Sequence, residues 1–166
     1  MTDDEVLAVL HSAADAVVAA FAGDVDWGPS GLRDDQYASD VVADAAVLAV
    51  LDEAGIRALS EESGCGPGDG PVAVVDPLDG STNASLGLPW FCTSLCVVDD
   101  DGPWVAVVHD HGAGHRYAAI RGRGATRNGE PPAPPPSIEL SDAVAPVTGT
   151  PPPNPGAAPF RQIWPL

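Results

Sequence analysis

An α/β fold is predicted by three observations. The chain opens with two stretches in which apolar residues recur at helical spacing. A run of four apolar residues, Val72 to Val75, then stops at turn formers flanked by carboxylates. Beyond it, short β-branched runs alternate with glycine-rich turns, which is strand and hairpin punctuation.

Thr2-Asp3-Asp4-Glu5 is a capping box with acid in the first turn, and Gly23 supplies a stop. Between them Val6, Leu7, Val9, Leu10, Val17, Val18 and Phe21 form one apolar face, read as core. Residues 24–38 are polar with Gly and Pro, a loop or small hairpin carrying Asp34, Asp35 and Tyr37. Ser39-Asp40 caps a second helix from Val41 to about Ala54, closed by Gly55, and capping alone accounts for Asp40. A short apolar run, Ile56 to Leu59, leads into Ser60-Glu61-Glu62-Ser63 and a glycine-rich loop from Gly64 to Gly70.

After the Val72–Val75 strand, Pro89 to Val98 reads as a strand ended by Asp99-Asp100-Asp101-Gly102. Trp104 to Val108 and Arg116 to Ile120 follow, and their short connections make the meander antiparallel. His109, His111 and His115 lie in the connection between the last two. They invite a zinc site but lack a suitable fourth ligand, so a structural or solvated role is the better reading. Arg121 to Gly129 is rich in Gly, opens no helix and ends in Asn128-Gly129, a tight hairpin signal. From Pro131 the composition shifts. Pro131–Pro136 and Pro151–Pro159 favour polyproline II, with a short helix or strand between Ile138 and Thr148. The division expected is 1–130 as the functional portion and 131–166 as a proline-rich continuation.

Bulk properties exclude several classes. At 166 residues the chain holds one domain's worth of core. A net charge of −17, with seven Arg and no Lys, argues against nucleic acid and anionic membrane, both of which select basic surfaces. No run reaches the apolar length of a membrane span, and the acidic N-terminus is not a signal peptide. Cys92 and Cys96 on one strand would lie about 13 Å apart, too far to bridge. A reducing cytoplasm is the expected compartment.

The chemistry concentrates in Asp76-Pro77-Leu78-Asp79-Gly80-Ser81-Thr82-Asn83. Two carboxylates sit at a strand's carboxyl end, followed by backbone N–H groups and hydroxyls where a helix or turn could begin, a terminus that favours anions. Asp76 and Asp79 cannot both approach a phosphate without a cation between them. Hard oxygen ligands on a small cation that also touches phosphate describe a Mg²⁺ site. The bland alternatives are an ordinary Asp-Gly turn, with Asp76 as a helix cap, and a calcium loop, whose closing position would fall on Gly87 instead of Glu. Glu61 ends a preceding strand, and if the two strands are parallel neighbours their acids gather at one edge.

Ser60-Glu61-Glu62-Ser63 followed by Asp76-Pro77-Leu78-Asp79-Gly80-Ser81-Thr82-Asn83 resembles the first signature of the inositol monophosphatase family, Mg²⁺-dependent, lithium-sensitive phosphatases of small phosphate monoesters. The resemblance implies an α+β layered sandwich of the sugar-phosphatase type. It implies that Glu61 and Asp76 bind the catalytic Mg²⁺ with the Leu78 carbonyl, and that Asp76 bridges to a second ion held by Asp79. Two or three ions, inhibition by Li⁺ and a homodimer in the complete protein belong to the same expectation. Glu61 and the Ser81 hydroxyl, backed by Asp40 of the Ser39-Asp40 step, would position the attacking water. Gly80, Ser81 and Thr82 would hold the phosphate.

Two departures stand out: Ser81 replaces the family's usual Thr, and Ala84 replaces the usual aromatic. Thr82-Asn83 points to inositol or sugar phosphates, with inositol monophosphate the expected substrate and fructose-1,6-bisphosphatase-like activity the alternative. The family's second half carries a Trp-Asp motif whose Asp completes the metal cluster, and no such dipeptide follows here. The chain is therefore expected to be a fragment that is poorly active alone, or a short non-catalytic metal binder.

Overall fold

The computed structural model describes residues 1–143, and the chain divides into two units, Met1–Pro132 and Ala133–Leu166. Within the second unit the described residues contain one 3-10 turn, Leu140–Asp142. The remainder of the Ile138–Thr148 run, from residue 144, and the Pro151–Pro159 stretch lie outside the described residues. No helix among the described residues is long and apolar enough to cross a membrane.

In the first unit the capping box is present: Thr2 Oγ1 accepts the Glu5 N–H and Glu5 Oε2 accepts the Thr2 N–H, opening helix α1 at Asp3–Ala20. Helix α2 spans Ala38–Glu53 and starts three residues before the expected Val41. Asp40 therefore sits inside the first turn rather than ahead of it. Its Oδ2 accepts the Tyr37 N–H at 2.8 Å, satisfying an orphan donor from within the helix.

The strands are β1 (Arg57–Ser60), β2 (Gly64–Cys65), β3 (Val72–Asp79), β4 (Cys92–Asp99), β5 (Gly102–Asp110), β6 (His115–Ile120) and β7 (Gly124–Arg127). A five-residue helix, α3 (Ser81–Ser85), follows β3. They form one mixed sheet ordered β2-β1-β3-β4-β5-β6-β7, in which β1 and β3 are parallel and every other pair is antiparallel. The α/β class holds.

Several boundaries differ from expectation. Strand β4 begins at Cys92 rather than Pro89, because the Trp90 N–H turns back onto the Leu88 carbonyl and the Trp90 carbonyl is taken by Asn83 Nδ2. The glycine loop after Glu62 contains β2, because Gly64 and Cys65 fold back on Ser60 and Leu59. Strand β3 continues through Pro77 to Asp79. Proline is tolerated there because the pairing with β4 shifts register between Asp76 and Asp79, so no ladder N–H is called for. Strand β5 extends to Asp110, which draws His109 into the sheet. At the far edge Asn128 (φ +54°) and Gly129 (φ +84°) make the expected tight turn, closed by the Arg127–Glu130 pair.

Alternation sorts the sheet's faces. Ala73, Val75, Leu95, Val97, Val105 and Val107 pack under Val6, Leu10 and Val17 of α1 and Val47 and Leu51 of α2. Each full burial of such a side chain is worth about 1.5–3 kcal/mol, so this interface holds the unit together. On the opposite face a row of cross-strand partners runs Cys65, Leu59, Val74, Cys96, Ala106, Ala119, Ala125. That row is apolar but for its thiols, and Leu59 and Val74 are about two-fifths exposed (44% and 42%).

Candidate metal and phosphate site

The parallel pairing of β1 and β3 aligns Ser60 with Val75, and the Glu61 N–H continues the ladder onto the Val75 carbonyl at 3.0 Å. Glu61 and Asp76 are the next residues on the two strands, so their side chains emerge together at the carboxyl edge. The electrostatics record the meeting. Burial, a hydrogen bond with Glu61, and then the charges of Glu61 and Asp79 push the Asp76 carboxyl up to about 7, against a pull from the Leu78 N–H. The same negative field reaches Cys92, whose thiol is pushed up to about 12 by burial and then by Asp79 and Asp76; its Sγ lies 3.8 Å from Asp79 Oδ2.

Gly80 sits at φ +88°, a conformation that L side chains resist, and turns the chain from β3 into α3. A Cβ there would lie 2.8 Å from the Trp90 carbonyl. The same carbonyl accepts Asn83 Nδ2 at 2.8 Å, so α3 is pinned to the segment before β4. Ser81 and Thr82 occupy its first turn, where backbone N–H groups have no helical partner. The Tyr37 hydroxyl donates to Thr82 Oγ1 at 3.3 Å, which brings the start of α2 to this edge.

Asp40 comes to the same place. Burial raises its pKa, the Tyr37 N–H lowers it, the charge of Glu62 raises it, and the nearby Ser81 hydroxyl lowers it again. Asp40 Oδ1 and Ser39 Oγ are nonetheless buried without a hydrogen-bond partner among the described residues. Ser81 thus bears on Asp40 without closing a bond to it in this conformation.

Glu61 and Glu62 are adjacent in sequence and opposite in role. Glu62 Oε2 accepts Arg33 Nη2 at 2.6 Å and also Gln36 Nε2, while Arg33 Nη1 donates to the Glu62 carbonyl at 3.0 Å. Below it Ser60 Oγ donates to the buried Asp44 at 2.5 Å and accepts the Glu62 N–H at 3.1 Å. Glu62 is thereby tied to the loop before α2, and Glu61 is left facing Asp76.

The structure thus brings Glu61, Asp76, Asp79, Gly80, Ser81, Thr82 and Asp40 to one edge, with Leu78 inside the β3 irregularity. Its limit is equally plain: among the described residues no group of three or more His, Cys, Asp or Glu side chains converges as a ready metal cluster. What fits a hard divalent cation is the donor chemistry itself: the Asp76 carboxyl, raised by burial and by the neighbouring Glu61 and Asp79, is an oxygen ligand that gains from a cation beside it. The three histidines form no such group. His111 stacks on Phe91 (centroids 5.5 Å apart, planes 12° apart) and meets His109 edge-on. His115 Nδ1 is 3.3 Å from Asn128 Nδ2 at the turn after β7.

Against known proteins, the sequence profile of the inositol monophosphatase family matches residues 8–150. The chain belongs to this family. A fructose-1,6-bisphosphatase from Pyrococcus furiosus is 33% identical over 133 residues, covering 76% of this chain and 52% of that protein. A fructose-1,6-bisphosphatase/inositol-1-monophosphatase from Archaeoglobus fulgidus is 39% identical over 124 residues, covering 72% and 45%. Among solved structures, the inositol monophosphatase from Anabaena superposes with a TM-score of 0.68 at 30% identity, covering 83% of this chain and 52% of that one. The chain spans about half the length of the curated relatives it matches.

Sequence reasoning missed four contributors: Arg33 and Gln36 on Glu62, Asp44 under Ser60, and Thr93, which is fully buried against the Pro77 carbonyl. Their partners lie at least 16 residues away in sequence, so no local spacing announces them. Asp44 alone left a trace, as an acid on the apolar side of α2.

Proposed function

We propose that this chain supplies the metal- and phosphate-binding half of a Mg²⁺-dependent phosphatase acting on a small phosphorylated polyol or sugar, inositol monophosphate first. The observation that carries the reading is the placement of Glu61 beside Asp76 at the carboxyl edge of two parallel strands, next to the Gly80–Thr82 turn. Family membership supports the reaction class, and the name of the Archaeoglobus relative supports both substrates.

In this reading Glu61, Asp76, Asp79 and the Leu78 carbonyl would hold two or three Mg²⁺, with Li⁺ as inhibitor. The ions would neutralise charge on the phosphate and make a water acidic enough to attack at neutral pH. The chain's own residues do the positioning. Ser81 Oγ, with Asp40 beside it, and Glu61 would accept hydrogen bonds from the attacking water and aim its lone pair at phosphorus, with Glu61 as the group able to take up a proton. The N–H groups at Gly80, Ser81 and Thr82 receive the phosphate oxygens. Pinning Gly80 under the Trp90 carbonyl keeps that turn from rotating away. Fructose-1,6-bisphosphatase activity is the second reading, favoured by the name of the Pyrococcus furiosus relative. A cytoplasmic setting suits three cysteines that are all free, and a homodimer in the complete protein is part of the same reading.

The deciding experiment joins residues 1–143 to the second half of the Archaeoglobus relative. Phosphate release from inositol-1-phosphate and fructose-1,6-bisphosphate is then measured with Mg²⁺, with and without Li⁺. Mg²⁺-dependent release that Asp76→Asn abolishes is expected, and the ratio of rates ranks the substrates. A folded chimera whose release is unaffected by Asp76→Asn would overturn the assignment. The 166-residue chain alone is expected to turn over slowly, because it spans about half the length of the relatives it matches.

A further inference from the structure

We propose that the Thr93 hydroxyl and the His111 ring are a positioning pair: they fix the irregular end of β3 and so set the geometry of Asp76, the Leu78 carbonyl and Asp79. The inference rests on the metal reading above and adds two residues to it.

Asp76 pairs with Ser94 and Asp79 with Cys92, so β3 carries Pro77 and Leu78 against the single Thr93 of β4. This is a bulge, and bulges re-aim the residues around them. Its weak point is Pro77, which is fully buried and has no N–H to give the ladder. Here the Pro77 carbonyl accepts the Thr93 Oγ1 hydroxyl at 2.9 Å, a bond made by a fully buried side chain.

A threonine hydroxyl has one proton. With that proton committed to Pro77, the 2.8 Å contact between Thr93 Oγ1 and His111 Nε2 must run from the ring N–H to the hydroxyl oxygen. The direction of the whole chain is therefore fixed: ring N–H to hydroxyl, hydroxyl to carbonyl. A neutral ring supports it, since burial, and then the neighbouring His109, push the His111 pKa down to about 4.

The ring is immobilised on every side. It stacks on Phe91 and tilts against Phe21 and His109, and the His111 N–H donates to the Phe91 carbonyl at 3.1 Å. The turn beyond it is locked as well, because a Cβ on Gly112 would fall 2.0 Å from the Pro89 carbonyl. Those contacts join the β4 and β5 ends to the loop that clamps Gly80. The pair thus links the two elements that carry the metal-binding acids and the phosphate-binding turn.

A buried hydroxyl could be satisfied merely for the sake of the fold, so the readout has to be the metal. Mn²⁺ binding to the 166-residue chain is measured by electron paramagnetic resonance of free Mn²⁺, alongside circular dichroism. Removing a group that orients a ligand typically weakens metal affinity by about 10- to 100-fold. Thr93→Val, which keeps the shape and loses the hydroxyl, is expected to raise the Mn²⁺ Kd by at least about tenfold within that range. Thr93→Ser should restore affinity to within about twofold, a rescue that a packing role of the lost methyl would not give. His111→Phe, which keeps the stack and loses the N–H, should move Kd in the same direction, and decides the matter if Thr93→Val does not fold. Folded Thr93→Val or His111→Phe chains with wild-type Kd would overturn the positioning role. Equal weakening by Thr93→Ser and Thr93→Val would overturn it too. If the wild-type chain binds no Mn²⁺, the metal reading itself falls and this role falls with it.

Discussion

Replacing Asp76 by Asn is expected to stabilise the metal-free chain while removing its response to divalent cation. In the folded chain the Asp76 carboxyl rises from its ordinary 3.8 to about 7 because it is buried against Glu61 and near Asp79. The folded state therefore holds a proton that the unfolded state has released. The stability this proton confers is fully present below 3.8, declines as pH rises, and is gone above about 7. At about 1.4 kcal/mol per tenfold in proton affinity the whole gap would be worth roughly 4 kcal/mol. Asp76 is only half-buried, and solvent screening brings this to about 2 kcal/mol. Asn has the same shape and no charge, so the metal-free variant at pH 8 should gain about 2 kcal/mol and lose the slope between pH 4 and 7. Mg²⁺ should then raise wild-type stability by ligand linkage and leave the variant where it was. Urea unfolding followed by tryptophan fluorescence at pH 4.5 and 8, with and without Mg²⁺, reads both effects. A variant less stable than wild type at pH 8 without metal, or one that gains equally from Mg²⁺, would refute the reasoning.

Other perturbations probe other parts of the edge. Gly80→Ala combines a left-handed backbone with a Cβ 2.8 Å from the Trp90 carbonyl, and should cost about 3 kcal/mol, visible as a lower Tm. Arg33→Met breaks a partly exposed ion pair, so its global cost should be only about 1 kcal/mol. Hydrogen exchange across residues 30–37 should nonetheless quicken, because the anchor of that loop on Glu62 is lost. In the active chimera Ser81→Ala should lower kcat with little change in KM, and Ser81→Thr should be tolerated. A raised KM at unchanged kcat would make Ser81 a phosphate-binding residue only.

Much of this edge is written locally in the sequence, and what is not has a physical reason. Asp76 to Asn83 is legible because strand, turn and ligands are consecutive, and the same holds for the capping box of α1. The pairing of Glu61 with Asp76 needed one further condition, parallel neighbours, which the β1–β3 register meets. The start of α2 was misread because Ser39 and Asp40 are good caps, whereas tertiary burial of Ser39 and Asp40 extended the helix back to Ala38. Strand β2 was invisible because its two residues pair through backbone alone. The histidines read as part of a connection, but the extra length of β5 carries His109 into the sheet and sets His111 against Phe91. Thr93 looked like one more strand residue. Only the bulge opposite gives its hydroxyl a task.

Charge balance is consistent with the proposal that the acids at this edge take an outside cation. The chain has seven cations for 24 carboxylates. Arg116 pairs with Asp15, Arg121 with Asp99, Arg123 with Asp3 and Asp4, and Arg33 with Glu62 and Asp35. Among the described residues, the arginine that reaches this edge, Arg33, is occupied by Glu62, the acid next to Glu61. Among the described residues, the main influences on Asp76 are burial, Glu61 and Asp79, opposed by the Leu78 N–H, with no cation among them. Had an arginine been placed there, the carboxylates would be neutralised internally and their affinity for any metal would fall. Instead the fold neutralises Glu62 with its own guanidinium, while burial and the charges of Glu61 and Asp79 raise the Asp76 carboxyl, a cost that a divalent cation would relieve in the proposed reading. The instability this stores in the metal-free chain is the same quantity that favours binding, which is why one substitution, Asp76→Asn, should abolish both together.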